Sequence, residues 1–264
     1  MRRTLLALAA CTALPAFAVD TASWTQPTAP HRIFGNTYYV GTKGVSSVLV
    51  TSPQGHVLID APLEENVALI EANVRKLGFR VEDIKVILNS HTHFDHAGGI
   101  AGLAKDSGAT VRATAAAAKA LQHGGDDPSD PQHGDVHVFP KVDAVGDITD
   151  GTIVRVGPLA ITAHITPGHT VGGTAWTWSA CEGDTCKSIA YVDSLTAFSA
   201  KGYRYSDHPA FVAEFRKTFD RVAALPCDIL IAPHPEQAEG KTCKTYAEAG
   251  RQRLDEKLAE EARK

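Results

Sequence analysis

The sequence predicts an α/β domain built in layers, with sheets sandwiched between helices. Three features carry that prediction. Short β-rich runs with turn signals begin at Arg32 and return over residues 152–193. Helical spacing fills the stretch between the two sets of strands and the stretch after them. No linker or repeat interrupts the 264 residues, so a single domain over 19–264 accounts for the chain behind its leader.

The N-terminus, "MRRTLLALAACTALPAFAVD", places two arginines before an apolar run and the small-x-small triplet Ala16-Phe17-Ala18 at its end. That is a secretory signal, residues 1–18, cleaved after Ala18, and the location it implies is the periplasm. A lipoprotein signal competes, because Leu8-Ala9-Ala10-Cys11 resembles a lipobox. Its apolar region, Thr4 to Ala10, would be only about seven residues, so soluble export is the favoured reading.

The elements then follow in order. Residues 19–31 read as an extended arm. "NTYYVGT", "VSSVLVTS" and "HVLIDA" are strand-like, with Pro53-Gln54-Gly55 as a hairpin turn. Val67, Ile70, Val74 and Leu77 lie at helical spacing within 62–78, between Pro62 and Gly78. "KVILNS" (85–90) is a buried strand leading into a histidine cluster. Helices are predicted at 97–106 and 114–122, and a loop over the Gly/Asp/Pro-rich stretch 123–135. Strands resume with "TIVRVG", "LAITAHIT", "TAWTWS" and "SIAYVD". A helix at 208–224, the strand "DILIAPH" and an amphipathic helix from Thr245 to Ala262, burying Leu254 and Leu258, complete the chain.

Composition excludes some partners. Thirty acidic against 26 basic residues give a net charge of −4 with no long basic run, so neither nucleic acid nor an anionic membrane has electrostatic support. No apolar stretch after the leader is long enough to span a bilayer. Four cysteines remain once Cys11 is removed, an even number in an exported chain, so two disulfides are expected. Three pairings are possible, and the shortest loops give Cys181–Cys186 and Cys227–Cys243.

The chemistry concentrates in "NSHTHFDHAGG" (89–99), which holds His91, His93, Asp95 and His96. Imidazole and carboxylate are ordinary zinc ligands, and a catalytic zinc takes three protein ligands while keeping a position for water. If Ser90 ends a strand, His91 and His93 point the same way, and Asp95 and His96 fall on the turn into the next helix. Four ligands in one turn are too many for one such ion and too few for two. His169, in the Gly-rich turn "TPGHTVGG", and His234, in "APHP" after a buried strand, bring the count to six, enough for two zinc ions per chain. The other histidines (31, 56, 123, 133, 137, 164 and 208) are isolated and read as surface or structural residues.

The His91-x-His93-x-Asp95-His96 pattern resembles the HxHxDH signature of the metallo-β-lactamase superfamily, which implies an αββα sandwich of two mixed sheets with its zinc site at one edge. The signature specifies the fold, not the substrate, since glyoxalase II enzymes, lactonases, sulfatases and RNase Z-type nucleases share it. "RIFGNTYYVGT", "GGDDPSD", "TPGHTVGG", "YVDSLTA" and "CDILIAPHP" look like segments of the subclass B3 β-lactamases, so the resemblance covers most of residues 24–264.

By position, that resemblance puts the first zinc on His91, His93 and His169 and the second on Asp95, His96 and His234. Asp95 orients the nucleophile, and His91, His93 and His169 complete the catalytic set. Ser194 stands near the place where subclass B1 enzymes carry a cysteine ligand; in B3 enzymes Ser194 and Thr196 would bind the substrate carboxylate. Asp193 lies close to the position of a bridging ligand in glyoxalase-type members. Cys181 with Cys186 resembles a disulfide of some members, and Cys227 with Cys243 a commoner one. The segment "EQAEGKTC" after the PHP motif is shorter than is usual, which alters the pocket wall beside His234 but not the ligands.

The activity implied is zinc-dependent hydrolysis of the β-lactam amide of penicillins, cephalosporins and carbapenems by metal-bound hydroxide, conferring antibiotic resistance, in a periplasmic monomer whose partner is a small molecule. No Ser-x-x-Lys motif is visible to supply a covalent alternative. The competing reading is another hydrolase on the same fold, a glyoxalase II-like thioesterase or a lactonase; a non-catalytic zinc-binding protein is the remaining one. Export and "DSLTA" favour the lactamase over the thioesterase, and the open positions of three-ligand sites favour catalysis over storage.

Overall fold

The computed structural model describes residues 21–263, so the signal expected at 1–18, with Cys11, lies outside the described residues. Strands β1 (His31–Phe34), β2 (Thr37–Tyr39), β3 (Val48–Val50) and β4 (His56–Ile59) run antiparallel in sequence. The predicted turn at 53–55 is closed by reciprocal backbone bonds between Ser52 and Gly55. Helix α1 (Val67–Lys76) leads to β5 (Ile84–Leu88), which pairs parallel with β4. Helices α2 (Phe94–Ala97) and α3 (Ile100–Ser107), strand β6 (Thr110–Thr114), helix α4 (Ala115–Gln122) and strand β7 (Ala144–Ile148) complete a seven-stranded mixed sheet of order β1 to β7.

The second sheet has five strands. They are β8 (Ile153–Val156), β9 (Leu159–Ile165), β10 (Thr174–Glu182), β11 (Thr185–Tyr191) and, after helix α5 (Pro209–Ala223), β12 (Ile229–Ile231), in the order β12-β11-β10-β9-β8. β12 pairs parallel with β11. Helices α6 (Pro235–Ala238) and α7 (Cys243–Glu261) end the chain.

Side-chain alternation explains the layering. Val48, Val50, Val57, Ile59, Val86 and Leu88 face the second sheet and pack on Val154, Ile161, Trp176, Trp178, Ile189 and Tyr191. Their neighbours Leu49, Leu58 and Ile87 point the other way, onto Ile70, Val74, Ile100, Leu103 and Leu121 of α1, α3 and α4. A strand covered on both faces is apolar at every position, which is why "VLV" and "VIL" read as continuous runs. On the far side, Ala175, Ala190 and Val192 meet Phe215, Phe219, Tyr246 and Leu254 of α5 and α7. The result is the αββα sandwich. Both expected disulfides form, Cys181–Cys186 and Cys227–Cys243. Among the described residues no helix is long and apolar enough to cross a membrane.

Some elements depart from the sequence reading. Within the arm expected to be extended, Thr21–Trp24 form a single 3-10 turn, and β1 starts at His31, one residue before the expected β-rich run. The helix predicted at 97–106 is two helices, α2 and α3. The helical ladder is interrupted at their junction, where Gly99 N donates to Pro62 O at 2.6 Å, and a Cβ on Gly98 would stand 2.4 Å from Phe94 O. β6 and β7 had no strand signal, because "TVRAT" and "AVGDI" carry polar or exposed positions where a buried strand would be apolar. The final helix begins two residues early, at Cys243, behind the capping pair Thr242 and Thr245.

Candidate metal centre

Every residue singled out for metal follows a strand or opens a helix at one edge of the sandwich. His91 and His93 come directly after β5, and Asp95 and His96 lie in α2. His169 sits in the turn between β9 and β10, and His234 follows β12. β4 and β5 run parallel, as do β11 and β12, so the ends of four strands deliver side chains to one place. The His169 turn needs glycine beside it. Gly168 has φ +155°, and a Cβ there would lie 1.9 Å from the Phe215 ring.

Two groups emerge. His91, His93 and His169 are buried, with ring centroids 4.7–4.8 Å apart in every pairing, and their ligand atoms could hold a metal ion. Asp95 Oδ2, His96 Nε2 and His234 Nε2 form a second triangle with sides of 3.1, 3.2 and 3.3 Å. Ligand atoms bound at 2.0–2.1 Å to one tetrahedral ion stand roughly 3.3 Å apart, so this triangle has the size of a coordination face. His91, Asp95 and His96 also come within metal-holding distance of one another, which places the two groups side by side.

Three of the imidazoles are held through Nδ1, and this tests whether a metal fits. His91 Nδ1 lies 2.8 Å from Asp193 Oδ1, while its Nε2 is buried without a hydrogen-bond partner. A buried ring anchored at one nitrogen and orphaned at the other is what a metal ligand requires, and without a metal it is costly. His169 Nδ1 faces the Thr196 carbonyl at 2.9 Å, and His234 Nδ1 faces the Gly44 carbonyl at 3.0 Å. The donor set fits a metal.

The electrostatics agree. Burial and the neighbouring histidines hold His91 well below the ordinary imidazole range and His169 down at about 3, so both stay neutral and able to ligate. Burial alone would raise Asp95, but His96 and His234 reverse this and hold it well below the carboxylate range. For His234 burial works downward, and the Asp95 contact outweighs it and raises the ring.

The remaining predicted residues also gather here. Asp193 is fully buried and uses Oδ1 for both His91 and the Ser194 backbone N–H, so it anchors a histidine. Ser194 and Thr196 are buried beside it, and the Thr196 hydroxyl lies 3.0 Å from His169 Nδ1. The short segment after His234 forms α6, where Gln237 Oε1 accepts the Tyr246 hydroxyl at 2.9 Å, tying that wall to α7.

Two participants were missed. Asp60, after β4, accepts from Ser90 N (2.6 Å), Ser90 Oγ (2.6 Å), Tyr191 OH (2.7 Å) and Asn89 Nδ2 (3.2 Å) under the histidine turn. Its signal was an acid closing the apolar run "HVLIDA". Asp130, in the 123–135 loop, lies 2.9 Å from His93 Nε2. Nothing in the sequence distinguished it from the other acids of that loop.

A sandwich with a histidine-rich metal site at its edge defines a class of metal-dependent folds. The model of the metallo-beta-lactamase superfamily matches residues 40–177, and the chain belongs to that superfamily. Within it, the chain resembles subclass B3. The Rm3 metallo-beta-lactamase is 45% identical, with a TM-score of 0.89 over 94% of this chain and 100% of that one. The metallo-beta-lactamase MIM-1 of Novosphingobium pentaromativorans is also 45% identical, with a TM-score of 0.88 over 90% and 93%. MEM-A1, a subclass B3 metallo-beta-lactamase from a soil metagenome library, has the same identity and TM-score over 90% and 98%. Curated relatives include hydroxyacylglutathione hydrolases, such as that of Anaeromyxobacter dehalogenans (strain 2CP-C), 36% identical over 128 residues. That match spans 48% of this chain and only 39% of the relative's own length.

Proposed function

We propose that the chain is a two-zinc β-lactamase, hydrolysing the amide of penicillins, cephalosporins and carbapenems. The observation that carries this is the pair of adjoining triads, His91/His93/His169 and Asp95/His96/His234, in a chain alike over nearly its whole length to subclass B3 enzymes. Zinc bound there would lower the pKa of a coordinated water from about 15.7 to near 7 and polarise the lactam carbonyl.

The protein's own groups supply the rest. His91, His93 and His169 would hold one ion, and burial keeps His91 and His169 as neutral imidazoles able to ligate. Asp95, kept ionised, would hold the second ion together with His96 and His234 and would orient the attacking water. Ser194 and Thr196 bind the substrate carboxylate. Because Thr196 Oγ1 also lies 3.0 Å from His169, Ser194 carries the larger share of that contact. Hydrolysis would break the lactam C–N bond, with the hydroxyl of one water going to the carbonyl carbon and its proton to the departing nitrogen.

The same reading takes residues 19–264 as one domain, released after Ala18 into the periplasm as a monomer, with resistance to β-lactams as its consequence. Purified mature protein should turn over nitrocefin, lose activity to a chelator and regain it with zinc. Activity untouched by chelation would refute the metal mechanism. The glyoxalase II-like alternative draws support from the curated relatives, but those matches span a third to a half of their length.

A further inference from the structure

The histidines of the first triad are not held alike. His91 and His169 are anchored through Nδ1, by Asp193 and by the Thr196 carbonyl. His93 is anchored through Nε2, by Asp130 Oδ2 at 2.9 Å, with both side chains buried to about 5% exposure. The nitrogen left to face the triad is therefore Nδ1. Asp130 is itself fixed. Its Oδ1 accepts the Gln132 N–H at 2.7 Å, so both carboxylate oxygens are committed. Its loop is tied to the segment beyond Thr196, through Ala200 N to Pro131 O at 2.8 Å and Lys201 N to Asp135 Oδ2 at 3.0 Å.

We infer that Asp130 is the positioning residue of His93: it holds Nδ1 toward the first triad and so sets how tightly that triad, and not the Asp95–His96–His234 triad, keeps its ion. This rests on the two-ion reading above. A carboxylate behind a ligating imidazole fixes ring orientation and tautomer and raises ligand basicity; losing such a partner typically weakens metal binding 10–100-fold. Asp130 touches neither the second triad nor the Ser194 hydroxyl, so the loss should be confined to one ion.

The test is a zinc titration of metal-free protein against a chromophoric chelator, for wild type, Asp130→Asn, Asp130→Ala and Asp130→Glu. Wild type should take two ions. In the Asn and Ala variants one ion should bind about 10–100-fold more weakly, and Glu should restore part of the loss. In a His169→Ala background, where only the second triad is intact, adding Asp130→Asn should leave the remaining ion's affinity unchanged. If Ala unfolds the loop, the near-isosteric Asn carries the result. Unchanged affinities, or equal weakening of both ions, would overturn the inference while the two-ion reading stood. A wild type that takes fewer than two ions would instead overturn that reading.

Discussion

At Asp60 a buried carboxylate accepts four hydrogen bonds from three residues, and its φ of 59° is the one positive value among described non-glycine residues. Aspartate tolerates this region better than most residues, yet such a conformation stores about 1–3 kcal/mol. The bonds to Ser90 and Asn89 hold the chain just before His91, the first of the candidate metal ligands. Asp60→Ala would strand those donors, and urea unfolding should show a loss of about 3 kcal/mol or more. His169→Ala should cut bound zinc from two ions to one and lower turnover by about 100-fold or more; full activity would remove His169 from the first site. The clustered ligands were legible because "HTHFDH" is local. Asp60 and Asp130 were not, because an acid's partner across two strands or a loop leaves no trace in spacing.

The two disulfides do different work in the elements that they join. Cys181 and Cys186 stand opposite each other in the β10–β11 hairpin, whose register the backbone ladder already holds. Cys227–Cys243 joins the approach to β12 with the start of α7 across a separation of 16 residues, enclosing α6 and His234. Closing a loop of that size is worth about 3 kcal/mol, a short one less. Replacing Cys227 and Cys243 by serine should therefore lower stability by about 3 kcal/mol in denaturant titration, more than replacing Cys181 and Cys186. Strands with both faces buried were readable as apolar runs. β6 and β7 were not, since partner strands and helices define them more than their own residues do, and the α2–α3 break depends on a contact with Pro62.

For the molecule as a whole, the fold gathers the candidate ligands from three distant stretches of chain and buries them, with His91 and His169 held neutral. This has a pH consequence for the metal-free protein. His169 is held at about 3 in the folded chain, against about 6.5 for an unfolded imidazole. Between those values the unfolded state binds the extra proton, so this group's contribution makes folding less favourable as pH falls through the window. Other buried groups titrate in both senses, so the comparison to make is wild type minus His169→Ala. That difference should fall from pH 6.5 downward, by at most about 1.4 kcal/mol per pH unit. A difference flat across this range would contradict a neutral, buried His169. His169 and His234 were legible only as candidates, histidines at strand ends; the sheet topology made them one site.

The most direct measurement sets a carbapenem against a hydroxyacyl thioester and a lactone, using mature protein loaded with two zinc ions. The lactam ring should open with turnover while the thioester and lactone remain essentially intact. Cleavage of either with no lactam hydrolysis would contradict this.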